Sequence, residues 1–246
     1  MNYIEIDKLS KSYQEKQVFQ DFSLNIKKGS FVSFVGPFGC GKTTLLKLLS
    51  GIESIDSGKI LINNQTPEML KKEIKMGYVF QEPLLLPWKN VEDNIKLPLE
   101  LANKTNYKKV NQMLKQVGLE EKAKRYPKEL SGGMQQIVSI LRAIVNDPAV
   151  LFLDEPLSAI DEINRNKLQD VLIKLHKTNN QTTILVTHSI HEAVYLSDEI
   201  YILGDSPVQI IDCVKPKYPR IKKYKNHIET IKTVEKIRKK LEKVVK

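Results

Sequence analysis

The chain opens on near-alternating apolar positions: Ile4, Ile6 and Leu9, then Val18, Phe22, Leu24 and Ile26, with a turn at Lys27, Lys28 and Gly29. A period of two puts successive side chains on opposite faces of half-buried strands. Residues 31–35 are a short apolar run ending at a glycine-rich loop, and 43–49 read as helix. Strands are predicted again at 59–62 and 76–80. The stretch 83–147 differs, because helical spacing such as Val110, Met113, Leu114 and Val117 replaces strand patterning. This predicts an inserted helical subdomain over about 83–148. The run 150–153 is continuous and apolar, as in a strand buried on both faces. Leu168, Val171, Leu172 and Leu175 form a helical stripe, and 183–186 and 200–203 read as strands. Buried strands alternating with helices predict an α/β fold with a mostly parallel sheet. From 228 onward, Ile231, Val234, Ile237, Leu241 and Val244 recur every three or four residues. That is an amphipathic helix with a lysine-rich outer face, expected to pack on the domain or on a partner.

The length of 246 residues suits one large α/β domain or a core with a small subdomain. Hydrophobic residues are 41% and aromatics 7%, the balance of a globular chain that folds without staples. The sequence has no run of 18 apolar residues, so a membrane-spanning helix is not expected. Residues 1–11 lack the apolar block of a secretory signal, and the chain is read as cytosolic. Cys40 and Cys213 make no metal-binding or redox pattern. Cys40 falls inside the glycine-rich loop, where a passive small residue and a reactive thiol are both conceivable, and alkylation there is expected to block ligand binding. Net charge is +10, and residues 215–246 alone hold 13 Lys or Arg against three Glu, so the excess belongs to the tail and the rest is neutral. A solvated helix face is the simplest reading of that tail, with anionic lipid or nucleic acid as alternatives. Basal activity is expected to survive its removal.

Gly36, Pro37, Phe38, Gly39, Cys40, Gly41, Lys42 and Thr43 match G-x-x-x-x-G-K-S/T, with Thr44 following. Glycines let backbone N–H groups close on phosphate oxygens, and the helix that follows adds the positive end of its dipole. Lys42 is placed to reach the β- and γ-phosphates and Thr43 to bind Mg²⁺, so ATP and Mg²⁺ are the expected cofactors. Asp154 and Glu155 close the 150–153 strand at its carboxyl end, where ligands bind in open α/β sheets. One carboxylate there can hold the metal through its water, and the other can orient the attacking water. Leu130, Ser131, Gly132 and Gly133 open a helix and present further N–H groups to an anion.

Together these three elements resemble the nucleotide-binding domain of ATP-binding cassette (ABC) transporters, over nearly all of residues 1–212. The resemblance implies a P-loop NTPase core, an antiparallel β subdomain and a helical subdomain, with 213–246 as a basic helical tail. It also implies that Tyr13 stacks on adenine and that Gln81 touches the metal and senses the membrane subunit. By the same likeness Asp161 communicates across a dimer, and His188 contacts the γ-phosphate. Ser131 and Gly133 of one subunit would cover the nucleotide held by another, so a monomer would have an incomplete site. The expected catalytic set is therefore Glu155, His188 and Gln81, and the expected metal set is Thr43, Gln81 and Asp154. The expected ATP-binding set is Tyr13, residues 36–44, residues 131–133 and Asp161.

Three positions depart from the family pattern. Phe38 stands where a small polar residue is usual, and Gln135 and Ile137 where basic residues are usual. None of them touches Lys42, Glu155 or His188, so hydrolysis is still expected. The segment 81–88, Q-E-P-L-L-L-P-W, resembles the bacterial importer branch for nitrate, sulfonate, taurine and similar small solutes. The implied partners are a second ATPase subunit, transmembrane permease subunits and, indirectly, an extracytoplasmic solute-binding protein, at the cytoplasmic face of the membrane. Trp88 is either an anchor at the permease interface or a residue buried in the helical subdomain. ABC ATPases acting on DNA or ribosomes usually carry a long coiled-coil insertion or two cassettes, so nucleic acid is not an expected partner. The Leu-Ser-Gly-Gly motif argues against a small-molecule kinase.

Overall fold

The computed structural model describes residues 2–104, 107–158, 160–225 and 227–244. Of the basic tail, residues 226, 245 and 246 lie outside the described residues. In chain order the elements are β1 (Asn2–Tyr13), β2 (Lys16–Lys27), β3 (Phe31–Val35), α1 (Lys42–Leu49), β4 (Ser57–Ile62), α2 (Pro67–Lys72), β5 (Met76–Val79), α3 (Val91–Leu101) and α4 (Lys108–Val117). There follow α5 (Gly132–Ile144), β6 (Val150–Asp154), α6 (Glu162–Asn179), β7 (Thr182–Val186), α7 (Ile190–Leu196), β8 (Glu199–Leu203), β9 (Ile210–Val214) and α8 (Ile228–Val244). The chain forms two compact units, residues 1–70 with 182–246, and residues 71–181.

In the first unit, β1 pairs antiparallel with both β2 and β4. Register sets Ile4 opposite Ile26 and Ile62, and Ile6 opposite Leu24 and Ile60. This is the face that alternation hides from water, and all six residues are buried. β3 lies between β7 and β8, parallel to both, and β9 runs antiparallel along β8. Every residue of β3 and β7 is buried, Ser33, Thr182 and Thr183 included, which is why neither strand shows an exposed alternating face. β9 runs through position 213, where the sequence suggests a separate tail begins. The segment after β9 returns to the core. Arg220 donates to the Leu196 carbonyl at 2.6 Å and pairs with Asp198, whose other oxygen accepts the Phe31 amide at 2.8 Å. α8 places Val234 and Ile237 in a cluster with Val35, Ala193, Val194, Ile200, Ile202 and Val214.

The second unit pairs β5 parallel to β6 and, among its described residues, carries α3, α4, α5 and α6. Between β5 and β6 the described residues hold helices and short 3₁₀ turns and no strand. Gly77 lets α5 lie close on β5, because a Cβ there would stand 2.4 Å from the Ala143 carbonyl oxygen. Buried Asn94 of α3 ties down the segment before it, accepting the Leu86 amide at 2.8 Å and donating to the carbonyls of Leu86 and Lys89. Among the described residues no helix is long and apolar enough to cross a membrane.

Candidate nucleotide-binding and hydrolysis site

In the first unit, register brings two predicted groups to one sheet edge. Phe34 of β3 pairs with Val186 of β7, so Gly36 and His188 each lie two residues past the pairing at the carboxyl ends. The phosphate loop leaves β3 there. The Lys42 ammonium folds back on it, donating to the carbonyls of Gly36 at 2.9 Å and Pro37 at 2.6 Å. A primary ammonium has three donors, so it can hold the loop's shape and remain placed for an anion. Gly41 has φ +107°, and a Cβ there would stand 2.7 Å from a Val18 methyl, which forbids a side chain at this turn. α1 starts next, with Thr43 exposed on its first turn.

Cys40 is wholly buried, and burial pushes its thiol up from the ordinary value despite the Lys42 ammonium 3.8 Å away. This corrects the expectation of an alkylation-sensitive thiol: nucleophilic thiolate is disfavoured and reagent access is closed. Phe38 is fully exposed at the loop tip. The loop tolerates its bulk because the ring packs on nothing within this chain.

Tyr13 ends β1 with its ring partly exposed. Its hydroxyl donates to Glu53 and accepts from Thr44, and the Lys11 ammonium lies 5.2 Å from the ring centroid. Burial, then the Glu53 carboxylate, push the phenol up to about 12. The hydroxyl therefore ties the ring to the phosphate-loop helix.

In the second unit, Val79 of β5 pairs with Leu153 of β6, so Gln81 and Glu155 stand beyond the carboxyl ends of neighbouring strands. Asp154 is buried and accepts the Tyr78 hydroxyl at 3.4 Å, and burial with that carboxylate pushes the Tyr78 phenol above its usual value. Glu155 has φ +46°, a left-handed conformation that a side-chain-bearing residue adopts at a cost of order 1–3 kcal/mol. Ser158 steadies it, donating its amide at 3.3 Å and its hydroxyl at 3.0 Å to the Glu155 carbonyl. Ser131 caps α5, accepting the Met134 amide at 3.3 Å, and Gly132 and Gly133 form the first turn. Gln135, where a basic residue is usual, donates to the Pro127 and Leu130 carbonyls. Ile137 is buried. Asp161 caps α6 through the Asn164 amide at 3.0 Å, and that bond holds its carboxyl below the ordinary value.

Of the predicted residues, the first unit thus gathers Tyr13, residues 36–44 and His188. The second gathers Gln81, residues 131–133, Asp154, Glu155 and Asp161. Sequence reasoning missed Glu53, Tyr78, Gln136 and Arg142, whose partners lie far away along the chain. Tyr78 had the only available signal, its position on a strand ending beside the Asp154 strand.

A family model described as ABC transporter matches residues 19–158. The aliphatic sulfonates import ATP-binding protein SsuB of a Bacillus cereus strain is 40% identical over 237 residues, 94% of this chain and 94% of that protein. SsuB of Bacillus licheniformis is 44% identical over 193 residues, covering 78% of this chain and 75% of that one. The solved dimeric structure of a post-hydrolysis state of the ATP-binding cassette MJ0796, bound to ADP and Pi, is 31% identical with a TM-score of 0.80, covering 87% of this chain and 99% of that chain. The protein is thus a P-loop NTPase with an α/β fold, as the sequence predicts. Within that class the chain belongs to the ABC transporter family, and it is an ATP-binding ATPase.

Proposed function

We propose that this chain is the ATP-hydrolysing subunit of a bacterial importer for an aliphatic sulfonate or a similar small solute. It would work at the cytoplasmic face of the membrane with permease subunits and an extracytoplasmic binding protein. The names of the SsuB relatives support the solute class, and the exposed Trp88 in the 81–88 segment suits a docking surface. The observation that carries the ATPase part is the phosphate loop at the end of β3, drawn into shape by Lys42 with His188 at the same edge.

The residues take these roles. Backbone amides of residues 36–44 and Lys42 bind the phosphates, while Tyr13 offers its ring to adenine. The Thr43 hydroxyl and the Asp154 carboxylate, with Gln81, are hard oxygen donors of the kind Mg²⁺ takes. Bound Mg²⁺ supplies charge neutralisation on phosphate oxygens. Glu155 orients the attacking water and accepts its proton, and His188 donates toward the γ-phosphate. The amide-rich start of α5, Ser131 to Gly133, covers the nucleotide of a second copy, and Asp161 faces that copy. Reconstitution with permease subunits and a binding protein of an aliphatic sulfonate importer tests the reading: sulfonate is expected to stimulate ATPase in proteoliposomes. Stimulation by an unrelated solute, with none by sulfonate, overturns the solute class and leaves the ATPase assignment standing.

A further inference from the structure

We propose that Gln136 and Arg142 are positioning residues that fasten the 80–84 loop to α5 and so set where Gln81 stands. Gln136, only 2% exposed, donates its side-chain amide to the Phe80 carbonyl at 3.1 Å. Arg142 forks around the other end of the loop, donating to the Pro83 carbonyl at 3.0 Å and the Leu84 carbonyl at 2.9 Å. Gln81 and Glu82 are the exposed residues left between these anchors. Gly77 brings α5 onto β5, so the loop leaves its strand within reach of the helix. Leu84 has φ +44°, and a planar guanidinium spanning two successive carbonyls suits the holding of such a turn.

The Gln136 amide is otherwise an awkward choice. Its Oε1 is buried with no hydrogen-bond partner, as is the hydroxyl of Ser139 one turn on. An apolar side chain of the same shape would avoid that cost, so what the amide contributes is its donor. The same helix begins with Ser131, Gly132 and Gly133. A pull on the helix start by a second copy's nucleotide is thereby carried to the Gln81 loop through named side chains. The inference rests on the proposed role of Gln81 at the metal.

The test uses the full-length chain. Gln136→Met keeps shape and removes the donor, and loss of one such bond is worth about tenfold. Amide exchange across 80–86 is expected to quicken by about that factor while the rest of α5 stays protected. Turnover is expected to fall, the half-saturating Mg²⁺ to rise, and Mg²⁺-free ATP affinity to hold. Adding Gln136→Met to Gln81→Ala should cost nothing further. Arg142→Lys, which reaches one carbonyl with a point charge and keeps the cation, should give an intermediate result and serves if Gln136→Met does not fold. Unchanged exchange at 80–86, or losses from Gln81→Ala and Gln136→Met that multiply, overturns the proposal. If Gln81→Ala alone alters neither turnover nor Mg²⁺ dependence, the metal role of Gln81 fails, while the exchange result still decides the fastening.

Discussion

At the scale of single residues, the phosphate loop divides between what faces in and what faces out. Cys40 faces in, and its raised thiol and complete burial should make it inert to maleimide in native protein at neutral pH. Mass spectrometry is expected to find modification at Cys40 only after unfolding, and rapid native labelling there would contradict the buried position. Phe38 faces out, and its exposure explains why a bulky residue costs the loop nothing. In its left-handed turn the Glu155 carbonyl accepts from the Ser158 amide and hydroxyl, bonds that a substitution at the carboxylate leaves in place. Glu155→Gln should cut single-site turnover by roughly 10²–10⁴-fold, the usual worth of a general base, while equilibrium ATP binding is retained. Turnover near that of the unaltered chain would remove Glu155 from the catalytic set.

At the scale of elements, the instructive case is α8. Its apolar stripe is legible in the sequence, but what it covers is not, since Val35 and Ile200 precede it by many residues. Sequence alone treats the segment 215–246 as dispensable. With Ile237 wholly buried beside Val35, its removal instead uncovers the flank of β8 and α7. Ile237→Ala is expected to cost about 2–5 kcal/mol in chemical denaturation. Truncation before 215 is expected to give unfolded or insoluble protein, and a truncated chain with full basal ATPase would refute this packing. The phosphate loop, the Asp154 and Glu155 pair and the start of α5 were readable because each needs fixed local spacing between strand, turn and helix. The contacts of Tyr13 with Glu53, and of Gln136 with Phe80, were not, because they join residues 40 and 56 positions apart. Only the folded register brings such pairs together.

At the scale of the molecule, the shifted thiols and phenols share one sign on the alkaline side. Cys40 and Cys213 are raised from 9.0, and Tyr13, Tyr78 and Tyr201 from 10.0, each mainly by burial. All five are neutral when protonated, so the native state keeps protons that the unfolded chain releases. Their contribution to stability is full below about pH 9 and is lost as pH rises through 9 to 12. Denaturation midpoints should therefore fall between pH 8 and pH 11, and Tyr13→Phe should lessen the fall. A flat profile would mean these groups reach water as freely in the folded chain as in the unfolded one.

The same architecture dictates how the chain must be made. The first unit is split, with β3 held between two strands, the nearer of which begins at Thr182. At roughly 5–20 residues per second, a ribosome releases β3 on the order of 7–30 s before that strand. The second unit is continuous over residues 71–181 and has no such wait. During synthesis, then, the phosphate loop dangles from an unpaired apolar strand until the strand that begins at Thr182 has emerged. Newborn chains are a natural client for a holding chaperone that grips Phe31, Val32 and Phe34.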